Sequence, residues 1–310
     1  MTDEGLWFAE PPQAGQQPRL QLRARLHERD SRFQHIEVVD SELFGRTLVL
    51  DGMIQTTERD EFFYHEMLVH PAMLAHPQPR RALVIGGGDG GALRRVLEHD
   101  VERATLVEID PEVVEVSKEF LPSVSAGAFE DPRAAVRFED GYAFVRESDE
   151  RFDVIIVDAP DPIGPGRKLY TDEFYRGLLS ILSEGGVVAV QSESPLLMAT
   201  QTAATYLNLR SVFPTVRLYL GTVPAYPGVI WTFTIAAKGM LPDQDEIERR
   251  FRARALDTRY YTPQVHEAAF VLPAYLDRFL QESVRLGEPA DLHPFFPAAP
   301  GITVSEPART

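Results

Sequence analysis

Residues 84–91 read V-I-G-G-G-D-G-G, and residues 107–110 read V-E-I-D. A short apolar strand runs into a glycine turn, and the next strand ends in a carboxylate. The backbone must turn sharply there and come close to a ligand, which only glycine permits without a Cβ clash. Glu108, closing the second strand, stands where nucleoside-binding sheets hold a ribose diol. Gly86, Gly88 and Gly91 satisfy G-x-G-x-x-G, a spacing shared by dinucleotide dehydrogenases and sulfonium-nucleoside enzymes. Asp89 separates the two classes. A carboxylate in the turn before a helix cancels the positive potential that holds phosphate, and a cationic group is welcomed instead. Capping of the helix from Gly90 explains an aspartate there equally well.

The chain has 310 residues, enough for one large α/β domain and a smaller one. There is no cysteine, which excludes disulfides and thiolate metal sites and fits a reducing, cytoplasmic compartment. The first residues, M-T-D-E-G-L-W-F, lack the basic and apolar regions of a signal peptide, and no apolar run is long enough to span a bilayer. The formal net charge of -16 disfavours nucleic acid, which needs clustered Lys and Arg, and favours a cationic small molecule. Net charge alone is better explained by solubility, so the placement of the acids has to decide.

Alternating apolar positions between Arg19 and Thr57, with the hairpin signal Asp51-Gly52, predict a small antiparallel β domain over residues 1–59. A helix is expected over 60–76, with Pro71 as a possible kink. Strands at 82–85, 104–108, 136–138, 154–158 and 187–191 then alternate with helices at 91–98, 111–120, 142–147, 172–182 and 196–212. That rhythm predicts an α/β, doubly wound, Rossmann-like parallel sheet with helices on both faces. Strands at 216–220 and 230–236 add an antiparallel edge pair, as in the sulfonium-nucleoside, methyltransferase-type variant. Helices near 243–256 and 263–280 complete a catalytic domain over 60–285. The Pro/Ala-rich stretch 286–310 reads as a disordered tail.

Two strand ends carry further acids. Asp140-Gly141 follows the third parallel strand and could accept from the exocyclic amine of adenine, though an Asp-Gly turn alone accounts for it. Residues 157–166, V-D-A-P-D-P-I-G-P-G, place Asp158 and Asp161 in one stiff loop at the ligand edge. Paired acids in a dry cleft bind ammonium groups and accept a proton. A plain surface turn is the alternative, but two prolines and two glycines restrict the backbone beyond what a connection needs. His65-Glu66 with His70 resembles H-E-x-x-H, but the spacing is one residue too long for both histidines to share a helix face, so zinc is rejected.

The chain resembles the polyamine aminopropyltransferases of the spermidine synthase family, from about Trp7 to Leu280. The resemblance rests on F-G-R-T-L-V-L-D-G-M-I-Q-T-T-E-R-D-E-F-F-Y-H-E-M from Phe44, G-G-G-D-G-G from Gly86, L-V-E-I-D from Leu106, D-P-I-G-P-G from Asp161 and R-Y-Y-T-P-Q-V-H-E-A-A-F-V-L-P from Arg259. It implies transfer of the aminopropyl group of decarboxylated S-adenosylmethionine to putrescine, giving spermidine and 5′-methylthioadenosine, with no metal or other cofactor. It implies a homodimer or homotetramer.

Residue roles follow from the resemblance. Gln34, Glu108, Asp140 and Gly141 hold the nucleoside, beside the Gly86 turn, with Pro165 on the adenine side. Asp89 binds the donor's ammonium, Asp158 accepts the proton, and Asp161 holds the far amine. Tyr64, His65, Gln191 and Tyr226 line the acceptor channel. Pro160 stands where most relatives have Ser or Thr, Ala225 replaces a frequent Thr, and Val229 alters the segment before Trp231. These departures lie near the acceptor, so agmatine, cadaverine or a longer polyamine stays open. A diamine N-methyltransferase, a non-catalytic polyamine-binding homologue and, more distantly, an NAD dehydrogenase are the rival readings.

Overall fold

The computed structural model describes residues 5–13, 15–160 and 164–290. An antiparallel sheet runs in chain order through β1 (Leu6–Ala9), β2 (Arg19–Asp30), β3 (His35–Ser41), β4 (Gly45–Leu50) and β5 (Met53–Thr57). Asp51 and Gly52 have φ of 49° and 79°, the left-handed pair that a two-residue turn between β4 and β5 requires. Successive residues of β3 and β4 feed opposite cores. Val39 and Val49 pack towards Ala225, whereas Ile36, Val38 and Leu48 meet Val113, Val116 and Val124. Burial on both faces is why β3 carries an apolar pair, Val38-Val39, where strict alternation was expected.

The second unit begins with α1 (Glu61–Ala75), then β6 (Arg81–Gly86), α2 (Gly91–Leu97), β7 (Arg103–Glu108), α3 (Pro111–Phe120), α4 (Pro122–Ser125), β8 (Ala134–Phe138), α5 (Gly141–Glu147), β9 (Phe152–Asp158), α6 (Asp172–Ile181), β10 (Leu182–Gln191), α7 (Ala199–Val212), β11 (Thr215–Thr222), β12 (Ile230–Ala237), α8 (Gln244–Arg254), α9 (Pro263–Ala269) and α10 (Ala274–Leu286). The seven strands are ordered β11-β12-β10-β9-β6-β7-β8. β10, β9, β6, β7 and β8 are mutually parallel, and β12 and β11 add antiparallel at one edge. This is the doubly wound sheet with an edge pair that the sequence predicted. The strand order reverses between β6 and β9, and ligands bind outside the carboxyl ends of strands at such a switch point.

Sequence composition explains the layers. The inner strands read A-L-V-I, V-I-I-V and V-V-A-V because helices cover both faces. Helix α1 is apolar nearly all round and almost wholly buried, and it runs through Pro71 to Ala75. Its Glu66 is buried and accepts hydrogen bonds from the backbone N–H groups of Arg259, Tyr260 and Tyr261, at 2.8–3.2 Å, which docks the C-terminal segment on the central helix.

Two helix expectations are corrected. The helix expected from Leu196 begins at Ala199, because residues after Gln191 turn sharply at Glu193, whose φ is 70°. The single helix expected over 263–280 is α9 and α10, divided before Pro273, which has no N–H to continue a helix. The chain stays packed through Ala290, which is buried and donates from its backbone N–H to Ser283 Oγ at 3.0 Å. Residues 291–310 lie outside the described residues. No helix among the described residues is long and apolar enough to cross a membrane.

Candidate active site

The switch point gathers the acids. Gly86, the last residue of β6, pairs in register with Asp158, the last residue of β9. A Cβ on Gly86 would lie 2.1 Å from the carbonyl oxygen of Asp158, and its φ is 78°, so only glycine lets the two strand ends meet. Asp158 Oδ1 accepts from the Tyr64 hydroxyl at 2.7 Å. One ligand atom from each of Asp158, Asp89 and His65 lies within 4.8 Å of the others. Three segments far apart in sequence, at residues 64–65, 89 and 158, therefore meet in one cluster.

Asp89 is held on two sides. Its Oδ1 accepts from Gly91 N–H at 2.7 Å, so it caps the turn into α2, and its Oδ2 lies 3.5 Å from His65 Nε2. On the other side of the ring, His65 Nδ1 is 2.9 Å from Glu61 Oε2. Burial opposes charge on this imidazole, but Asp89 and then Glu61 outweigh it and raise its pKa to about 10. Both ring nitrogens of such an imidazolium carry protons. The cluster then holds one cation among carboxylates.

Asp158 is pushed up to about 6, first by burial and then by the negative charge of Asp89, against the pull of His65 and the Tyr64 hydrogen bond. Asp89 stays below the ordinary carboxylate range; burial works against this, and the charge of His65 overcomes it. The pKa values of two neighbouring acids are thus pushed in opposite directions.

The residues expected to hold a nucleoside lie at the ends of β7 and β8 and in the β2–β3 turn. Glu108 is buried at the end of β7, and burial raises its pKa to about 7. A Cβ on Gly88 would lie 3.0 Å from its carboxylate, so the glycine turn and this acid face each other. Gln34, from the β2–β3 turn, donates to Asp110 Oδ2 at 2.9 Å, and Asp110 N–H donates to Glu108 Oε1 at 2.9 Å. Asp140 is exposed and caps α5 through a 2.8 Å bond from Tyr142 N–H, with Gly141 opening the helix. The simple capping reading of Asp140 is therefore satisfied at the place where the nucleoside reading also needs an acceptor.

Tyr226 packs beside Tyr64, ring centroids 5.8 Å apart, and meets Trp231 edge-on at 4.7 Å. Its hydroxyl donates to the carbonyl of Gln55. Gln191 lies behind the Asp158 loop. Its amide donates to Tyr170 Oη at 2.6 Å and to the Ala159 carbonyl at 3.1 Å. Tyr170 in turn donates to the Pro160 carbonyl at 3.1 Å. Asp161 and the side chain of Pro165 lie outside the described residues.

Sequence reasoning missed Glu61, Asp110 and Tyr170. Glu61 was legible as an i, i+4 partner of His65. The partners of Asp110 and Tyr170 come from distant loops and leave no local signal. A separate cavity of about 670 Å³ is lined by His99, Arg133, Arg250 and Arg254. Arg250 donates to the carbonyls of Leu74 and Ala75, and Arg254 to those of Met73 and His76, so these two close the C-terminus of α1.

The family model described as "Spermine/spermidine synthase domain" matches residues 61–246, and "Spermidine synthase tetramerisation domain" matches residues 6–58. The polyamine aminopropyltransferase of Moorella thermoacetica is 45% identical over 278 residues, covering 89% of this chain and 97% of the relative. That of Bacillus subtilis is 40% identical over 277 residues, covering 89% and 99%. Among solved structures, a spermidine synthase in complex with the transition state analogue AdoDATO superposes with a TM-score of 0.87 at 38% identity, over 90% of this chain and 96% of that one. The spermidine synthase from Thermotoga maritima gives 0.84 at 37% identity, over 90% and 95%. Agreement of this depth, in residues and in backbone and across both units of the fold, places the chain in the spermine/spermidine synthase family of transferases.

Proposed function

We propose that this enzyme transfers the aminopropyl group of decarboxylated S-adenosylmethionine to putrescine, giving spermidine and 5′-methylthioadenosine. The observation that carries the reading is the convergence of Tyr64, His65, Asp89 and Asp158 at the switch point, flanked by Glu108. The donor is bound as a nucleoside, with Glu108 on the ribose diol, Gln34 steadied by Asp110, and Asp140, Gly141 and Pro165 around adenine, beside the turn that begins at Gly86. Asp89 takes the ammonium of the aminopropyl arm. Tyr64, His65, Gln191 and Tyr226 line the acceptor channel, and Asp161 holds the distant ammonium of the diamine.

The chemistry needs alignment and one proton acceptor. An amine of reference pKa about 10 arrives protonated, and only its neutral form attacks. Asp158 takes that proton, and desolvation of the closed site lowers the amine's pKa while raising that of the acid. The nitrogen lone pair then forms a bond to the propyl carbon beside sulfur. The carbon–sulfur bond breaks, its electron pair returns to sulfur, and the sulfonium becomes a neutral thioether. The leaving group is already activated, so the step calls for no metal, cofactor or covalent intermediate. We further infer a cytoplasmic homo-oligomer, supported by the match to a tetramerisation domain and by the absence of cysteine.

The test is an acceptor panel of putrescine, agmatine, cadaverine and spermidine, each with decarboxylated and with intact S-adenosylmethionine, scored by mass spectrometry. Aminopropylated putrescine as the dominant product supports the reading. Preference for another amine corrects the acceptor. A methylated product, or binding without turnover, overturns aminopropyl transfer.

A further inference from the structure

We propose that Glu61 is a positioning residue for the ammonium end of the site, acting through His65 on Asp89; this rests on the aminopropyl-transfer reading above. Glu61 opens α1 and is buried. Its Oε2 meets His65 Nδ1 at 2.9 Å, one helical turn on, while Nε2 of the same ring faces Asp89 Oδ2 at 3.5 Å. The ring lies directly on the backbone of Gly91, where a Cβ would sit 2.1 Å from His65 Cε1. Glu61 is itself fixed from behind, because the buried Arg95 donates to its Oε1 at 3.0 Å. Arg95 also reaches Glu98 at 2.8 Å and Glu66 at 3.6 Å. An unbroken alternation of charge, Arg95–Glu61–His65–Asp89, therefore runs from inside the fold to the acids at the switch point.

This alternation decides what Asp89 presents. Gly91 N–H holds one carboxylate oxygen and the imidazolium the other, so the group has one direction. The charged groups facing His65 are Asp60 and Glu61 at the start of its own helix, Asp89 from the glycine turn and Asp158 from β9, with Arg94 and Arg95 standing behind Glu61. Without the charge of Glu61 the second ring proton is less firmly held. A neutral ring no longer balances Asp89 against Asp158. A buried Glu61 is not needed merely to neutralise Arg95, which already meets two other carboxylates.

Glu61→Gln keeps the shape and the hydrogen-bond acceptor and removes the charge. The expected result is a KM for the decarboxylated donor raised about tenfold, the scale of weakening one hydrogen bond to a charged group. Affinity for 5′-methylthioadenosine, which lacks the ammonium, should stay within about twofold. An unchanged donor KM overturns the inference. So does a parallel loss of methylthioadenosine binding and melting temperature, which would make Glu61 merely structural. The ¹⁵N spectrum of His65 is a second arm. The wild-type ring should be doubly protonated at about pH 8, above the ordinary imidazole value of about 6.5. A neutral ring in the wild type overturns the role of Glu61 even if aminopropyl transfer is demonstrated and even if the variant does not fold. Absence of transfer by the wild type with every amine overturns the underlying reaction instead.

Discussion

The Tyr64 hydroxyl donates a 2.7 Å hydrogen bond to Asp158 Oδ1, joining the central helix to the end of β9. That bond favours the carboxylate, while burial and Asp89 favour the acid, and the balance sets Asp158 at about 6. A base works only when deprotonated, so kcat/KM should fall below about pH 6 with a slope of one. Tyr64→Phe removes an interaction that lowers this pKa. The acid limb should move to higher pH by roughly one unit. A limb that stays in place in the pH profile of the variant would separate Asp158 from the proton transfer.

Asp158→Asn keeps the shape of the strand end and removes the proton acceptor. Turnover should drop roughly 10²- to 10⁴-fold, the usual share of a general base. Affinity for 5′-methylthioadenosine, measured by calorimetry, should change little, because the residues proposed to hold the nucleoside lie at the ends of β7 and β8. Loss of both together would show that Asp158 shapes the site and does not act as a base.

Glu108→Gln should trade binding for stability. The folded pKa of Glu108 is about 7 against an ordinary 4.5, with burial as the main cause. A carboxyl raised on folding contributes stability that is complete below the unfolded pKa and is lost as pH rises through the folded one. The wild type therefore carries a burial cost at pH 8 that is absent at pH 4, roughly 2 to 3 kcal/mol. Denaturation should find the variant more stable than wild type at pH 8, with the gap closing towards pH 4. Nucleoside affinity should fall at the same time, and a variant that binds as tightly as wild type would remove Glu108 from the ribose.

Gly91→Ala tests the seat of His65. The glycine has no unusual φ, so alanine suits the helix, and the whole penalty is the 2.1 Å approach to the ring. A loss of about 1 to 3 kcal/mol is expected from overpacking. The double variant with His65→Ala should recover most of it, since contacting sites are not additive. Additive losses would place the strain elsewhere.

What the sequence made legible was local. The glycine turn and the acids at the ends of β6, β7 and β9 follow from short patterns, because a parallel strand buried on both faces must be a run of apolar residues. Asp158 and Asp89 could be proposed as neighbours because strand ends at a switch point converge. The supporting contacts were not legible. Asp110 meets Gln34 across 76 positions, and Tyr170 reaches Pro160 only because a loop folds back. His70, set aside as a zinc ligand, finds His99 at 3.0 Å. The break between α9 and α10 was signalled by Pro273, yet apolar periodicity on either side hid it.

Glu66 has a bearing on where this protein can be cut. Its carboxylate is capped by three amides supplied by Arg259, Tyr260 and Tyr261, beyond residue 246, where the catalytic-domain match ends. A fragment stopped at that boundary would strip these donors from Glu66, in the middle of the helix that carries Tyr64 and His65, and leave it Arg95 at 3.6 Å. The smallest piece able to fold therefore extends past the family boundary, because the central helix is finished by amides from a segment that touches no substrate-facing residue named above.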